Sequence, residues 1–194
     1  TVAQGNLHLA SLRVAQAVGE RAPGNLGQLH GLRQGEPFRG TRLGVELEPR
    51  DGWGWHAVAH VMEMQHRRRD GVAWLTSQTP AWSEGSFLAV HNWWHLALFH
   101  LGLGQIDEVL ALVDERILGG ASPLVLEMID ASAMLWRLQL RGVPVGERWR
   151  ALAERWTAAS AHRTYAFNDM HAMMAFVGAE RMGDAEQLLM AQQD

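Results

Sequence analysis

Residues 86–117 read SFLAVHNWWHLALFHLGLGQIDEVLALVDERI, and this stretch decides the fold. Phe87, Val90, Trp94, Leu98 and Leu101 fall at steps of three and four, with Trp93 and Ala97 widening the stripe, so one face of a helix is apolar. Ile106, Val109, Leu110, Val113 and Ile117 repeat the pattern after Gly102 and Gly104, which stand where one helix stops and its partner starts. The unit is a helix hairpin. Strand signals are weak, since no alternating polar–apolar run is closed by Asn-Gly or Asp-Gly.

The hairpin recurs on both sides. One helix opens at Asp51-Gly-Trp and runs through about Gln65, followed by a polar turn at Arg67–Arg69 and a second segment from Gly71 to Ser77. Ser122-Pro123 opens a third pair, with Ser at the N-cap and Pro at the first helical position. That pair runs to Leu140, turns at Arg141–Pro144, and is answered by Glu147–Ala159. A fourth opens near Thr164, turns around Arg181–Gly183 and ends with Ala185–Ala191. The first helices begin near 51, 87, 123 and 164, a period of 36 to 41 residues. Such a period predicts an α-solenoid, because each hairpin is too small to bury its own apolar face. The expectation is an all-α chain of about four hairpins over 51–194, forming one continuous solenoid. Residues 1–50 are expected to be irregular helices or a partial first repeat. There Val2–Val18 is amphipathic, Gly24, Gly27, Gly31 and Gly35 interrupt, and Pro37 to about Leu47 form a short helix.

Composition narrows the function. At roughly 150 residues per domain, 194 residues make one globular unit. A 47% hydrophobic chain with net charge −4 is neither disordered nor a strongly electrostatic binder, so neither nucleic acid nor an anionic membrane is expected as a partner. No apolar run of about 18 residues is present to span a bilayer. The absence of Cys removes disulfides, thiolate nucleophiles and thiolate-bound zinc. All 17 basic residues are Arg, which removes Schiff-base chemistry and the lysine-dependent phosphate loop. The Ala, Arg and Gly bias is that of a GC-rich bacterial genome, and with no signal peptide the cytoplasm is the default location.

The polar residues are not scattered. His56, His60 and Glu63 lie within one narrow face of a helix that is otherwise Ala, Val, Met and Trp. His91 and His95 repeat the four-residue spacing on the next first helix, Asp130 sits on the third, and Asn168, Asp169 and His171 open the fourth. A single polar stripe on an apolar helix must face a groove, a ligand or another polar group. His66, His100 and His162 fall off the stripe. Arg67–Arg69 reads as a solvated turn, with an acidic partner as the alternative. The residues Trp93, Trp94, Trp136, Trp149 and Trp156, and the strings Met62, Met64 and Met170, Met173, Met174, read as core.

Several strings are more specific than a periodicity. Pro49-Arg-Asp-Gly-Trp, the runs His56 to Gln65 and His91 to His100, Asp130 to Leu138, and Phe167 to Ala175 resemble the tetratricopeptide repeat protein 38 family, over roughly residues 45–192. The resemblance implies a superhelix of antiparallel helix pairs in which first helices line a concave face. It also implies an array that runs on beyond Asp194, while the first 45 residues match poorly.

Two functional readings follow. In the first, the chain is a scaffold that binds a peptide or small polar ligand in a groove lined by His56, His60, Glu63, His91, His95, Asp130, Asn168, Asp169 and His171, and it needs no cofactor. In the second, His56, His60, His91 and His95 hold a divalent metal, and Glu63 or Asp169 serves as the base of a metal-assisted hydrolase. Exposed ends of a truncated array would pair as a homodimer.

Overall fold

A computed structural model describes residues 36–120, 122, 124–159 and 165–191. The Val2–Val18 helix, the four glycines after it, Pro123, His162 and Thr164 lie outside them. Among the described residues the chain is all-α, with ten α-helices and no strand. These are α1 (Glu36–Leu47), α2 (Gly52–Met64), α3 (Arg68–Ser77), α4 (Thr79–Ser83), α5 (Ala89–Gly102), α6 (Ile106–Leu112), α7 (Val125–Leu140), α8 (Arg148–Ala158), α9 (Ala166–Gly178) and α10 (Met182–Met190). A π-helical turn, Val113–Ile117, prolongs α6. No described helix is long and apolar enough to cross a membrane.

Each of α2, α5, α7 and α9 packs against the helix that follows it, and also against the next of the four, so they stand side by side in chain order. Their C-termini share one construction. After α5, Gly104 (φ 75°) takes a left-handed conformation, while Gln105 N–H donates to His100 C=O at 3.0 Å and Gly104 N–H to Leu101 C=O at 3.2 Å. This is the six-to-one and five-to-two bonding that closes a helix on a left-handed residue. Gly142 (φ 72°) does the same after α7, through Val143 N–H to Leu138 C=O at 3.0 Å. His66 and Glu180, both at φ 57°, repeat it after α2 and α9. The left-handed residues that close these four helices stand at 66, 104, 142 and 180, a constant step of 38.

Two apolar clusters fill the interior. One gathers Trp55, Val58, Met62, Leu75, Trp82 and Phe99. The other gathers the residues between α5 and α10, with Met134, Leu138, Leu152 and Trp156 fully enclosed. Trp93 and Leu112 touch both. Trp149 and Trp156 are core as expected, and Trp93, Trp94 and Trp136 are half-buried against it.

Several boundaries differ from the expectation. Phe87 is 64% exposed, because α5 begins at Ala89 and the stripe loses its first member. Arg68 and Arg69 belong to the first turn of α3, so Arg67 alone caps it, with Nε on Asp70 at 2.7 Å. Helix α7 begins at Val125, and Ser122 Oγ accepts from the extended Leu124 N–H at 3.2 Å instead of capping a helix. Met64 and Met170 are exposed, not core. Helix α4 is additional: Pro80 starts it, and Trp82 buries its ring and donates Nε1–H to Leu75 C=O at 2.9 Å.

Left-handed backbone costs a side chain roughly 1–2 kcal/mol that glycine does not incur. Glu180→Gly is therefore expected to raise the unfolding free energy by about 1 kcal/mol, and Gly142→Ala to lower it by about the same amount. Urea denaturation of the two variants checks both signs.

Candidate metal centre

Asp51 fixes the start of α2, its carboxylate accepting Trp53 N–H at 3.1 Å. The helix then buries Gly52, Gly54, Trp55, Val58, Ala59 and Met62, which turns His56, His60 and Glu63 to its remaining face. Helix α5 lies against that face and presents His91 and His95. Buried Asn92 ties the pair together, donating Nδ2–H to Gly52 C=O at 3.2 Å. A Cβ on Gly52 would meet Ser86 Oγ at 2.5 Å, so any larger residue there would force the Ser86 hydroxyl to move.

The four imidazoles interlock. Ring centroids are 4.4 Å apart for His56–His60 and His60–His95, 4.8 Å for His56–His91, and 5.0 Å for His56–His95 and His91–His95. Nε2 of His56 and His60 are 2.9 Å apart. One ring nitrogen from each of the four lies within 4.8 Å of the others. His95 is fully buried, His56 and His91 are half-buried, and His60 opens to solvent.

Two carboxylates back this group. Asp130, buried on α7, places both oxygens 2.9 Å from His91 Nδ1, whose N–H it accepts, leaving Nε2 as the free ring atom. Glu63 Oε2 lies 3.2 Å from His95 Nδ1, an ion-pair distance without hydrogen-bond alignment. Both nitrogens of His95 are buried with no aligned partner. Trp94 stacks on His91 with centroids 5.5 Å apart and planes 9° from parallel.

Burial and mutual repulsion favour the neutral form of His56, His60 and His95. Burial, then the charges that His95, His91 and His60 would carry, push His56 down to about 2. Burial pushes His95 down to about 4 against the pull of Glu63. His60 is lowered too, by burial first. Contact with His95 holds Glu63 below the ordinary carboxylate range, whereas burial raises Asp130 despite its bond to His91.

The structure thus brings together His56, His60, Glu63, His91, His95 and Asp130. Asn168, Asp169 and His171 stand outside the four-imidazole group. Asp169 and His171 are buried on α9, and His171 donates Nδ1–H to Phe167 C=O at 2.7 Å. A groove of about 550 Å³ leads away from His60 and Glu63, lined also by Arg68, Trp94, Leu98, Arg137 and Arg141. The sequence reading placed Arg68 in a polar turn with an acidic partner as the alternative, and gave Arg137 and Arg141 no binding role. The available signal was that Arg137 and Arg141 follow Asp130 at seven and eleven residues, on one face of α7. No family model matches the chain, and no solved structure matches it.

The depressed histidines set a pH dependence. An unfolded imidazole titrates near 6.5, so between 6.5 and 4 the unfolded chain binds a proton that folded His95 refuses. Stability is full above pH 7 and falls as pH drops through that window. Raised Asp130 opposes the trend, and lowered Glu63 joins it only in the carboxylate range. For chelator-treated protein, the unfolding free energy is expected to fall by about 2 kcal/mol from pH 7 to pH 5 on account of His95 alone. Urea titrations giving equal values at the two pH values would refute the neutral cluster.

Proposed function

We propose that the chain is a tetratricopeptide-like helical-repeat protein that holds a divalent transition-metal ion among His56, His60, His91 and His95 and presents it to a small polar ligand in the adjoining groove. The observation that carries the metal is the approach of four ring nitrogens to within 4.8 Å. In a tetrahedral site with ligands at ~2.1 Å, nitrogens stand roughly 3.4 Å apart, so small side-chain rotations complete the set. Neutral imidazoles are the form a metal needs, and burial lowers the proton affinity of His56, His60 and His95 here. Asp130 on His91 Nδ1 supplies the outer carboxylate that orients a metal-bound imidazole. An all-nitrogen set suits zinc, copper, nickel or iron rather than magnesium or calcium. The repeat reading is supported by the 38-residue step and by the lateral packing of α2, α5, α7 and α9. That step is longer than the ~34 residues of the usual repeat of this kind.

The exposure of His60 favours a second, enzymatic reading. A coordination position at the solvent side can exchange for water, with Glu63 nearby as base, which is the arrangement of a metal-assisted hydrolase.

Untagged protein purified without added metal is expected to carry about one equivalent by elemental analysis, and Asp130→Asn to weaken metal affinity roughly 10- to 100-fold. Absence of bound metal, together with no thermal shift on adding zinc, cobalt, nickel or iron(II), overturns the proposal. His60→Ala separates the two readings. A cobalt-loaded variant that keeps its ion and changes its visible spectrum on adding azide marks an exchangeable position. Loss of more than 100-fold in affinity marks a closed four-nitrogen site.

A further inference from the structure

We infer that the groove beside the four histidines seats an organic anion, a carboxylate or phosphate carried on a small apolar body. Its walls hold three guanidiniums, Arg68, Arg137 and Arg141, against the single carboxylate of Glu63, which is already engaged by His95. None of the three arginines has a carboxylate partner within 4.0 Å among the described residues. Two of them are held in place by backbone carbonyls, which fixes the charged heads but spends only one of five N–H donors each. Arg137 Nη1 donates to Ala133 C=O at 3.0 Å, and Arg141 Nη1 donates to Leu101 C=O at 2.7 Å. Arg68 lies flat across Gly102, where any Cβ would collide with its Nε and Cδ.

The floor between these charges is apolar. Trp94 and Leu98 form it, and Arg137 covers the Trp94 ring with its guanidinium carbon 5.4 Å from the centroid. Trp94 also carries a buried Nε1–H with no partner. A wall of preorganised guanidiniums recognises an oxyanion through charge-assisted, paired hydrogen bonds. The volume of about 550 Å³ accommodates a small organic molecule and not a long peptide. The inference rests on the proposed function for what the ligand meets at the His60 end, and it names the ligand class there.

Calorimetry tests it with four probes: benzoate, phenyl phosphate, inorganic phosphate and benzyl alcohol. Metal-loaded and metal-stripped protein are titrated, with metal content measured on every sample. Benzoate or phenyl phosphate is expected to bind saturably, more weakly at high salt, and at least tenfold more tightly than benzyl alcohol or inorganic phosphate. Whichever of the two binds reports whether the head group is carboxylate or phosphate. Arg137→Gln and Gly102→Ala, the latter displacing Arg68 without touching a charge, are each expected to weaken that binding at least tenfold with metal content unchanged. The inference is overturned if neither aromatic anion binds, if benzyl alcohol or inorganic phosphate binds equally well, or if both variants bind like the parent. Anion binding to a protein that takes up no metal would remove the proposed centre and leave the groove. A metal-bearing protein that ignores both anions would do the reverse.

Discussion

Everything in the arrangement depends on four helices being cut to the same register. Helices α2, α5, α7 and α9 each end on a left-handed residue closed by the same two backbone hydrogen bonds, 38 residues apart. Because the closure uses main-chain groups, it survives whether the residue is Gly104, Gly142, His66 or Glu180. Helices cut in step and packed side by side bring equivalent positions to equal height. Gly54, Asn92, Asp130 and Asn168 form one such row, and Ala57, His95, Ala133 and His171 another. In the first row Asn92 reaches Gly52, and Asp130 reaches His91, each on the preceding helix of the four.

That register places polar groups where burial would otherwise forbid them. An unsatisfied buried donor or acceptor costs roughly 1–3 kcal/mol, and His95 keeps two such atoms. Two apolar clusters that share Trp93 and Leu112 fill the interior, and their burial offsets that cost. The lowered proton affinity of His56 and His95 is the electrostatic record of the same confinement. A cation that accepts the imidazole lone pairs repays that cost in a way that water at an open surface cannot.

The four histidines were legible in the sequence because α-helical geometry alone puts residues four apart on one face, and an apolar surround says which face is enclosed. Asp130 was legible as a stripe residue, but its attachment to His91 depends on the lateral register, which no single helix encodes. The period was read from helix starts as 36 to 41 because N-termini are set by local caps that vary between Asp51, Leu88, Leu124 and Tyr165. The constant step lay at the C-termini, hidden because His66 and Glu180 occupy places where glycine is the usual signal. Asn168 and Asp169 were grouped with the histidines on helix order, yet they sit on the first turn of α9, the last of the four helices and two removed from α5. The arginine wall was not read as a unit because its members come from α3 and α7 and from the residue closing α7, and charges on separate helices carry no periodic signature.

The two proposed sites are coupled by charge. A dication among the imidazoles and three guanidiniums along the groove would repel each other across Glu63, the single acid between them. An anion lying on Arg137 beside Glu63 offsets both, so it favours the metal as much as the metal favours it. Contact with His95, with His60 and Arg137 behind it, draws the Glu63 carboxylate down against its burial. On the proposed reading, an anion lying on Arg137 would offset that pull and raise the proton affinity of Glu63, which is the direction a base at this junction needs.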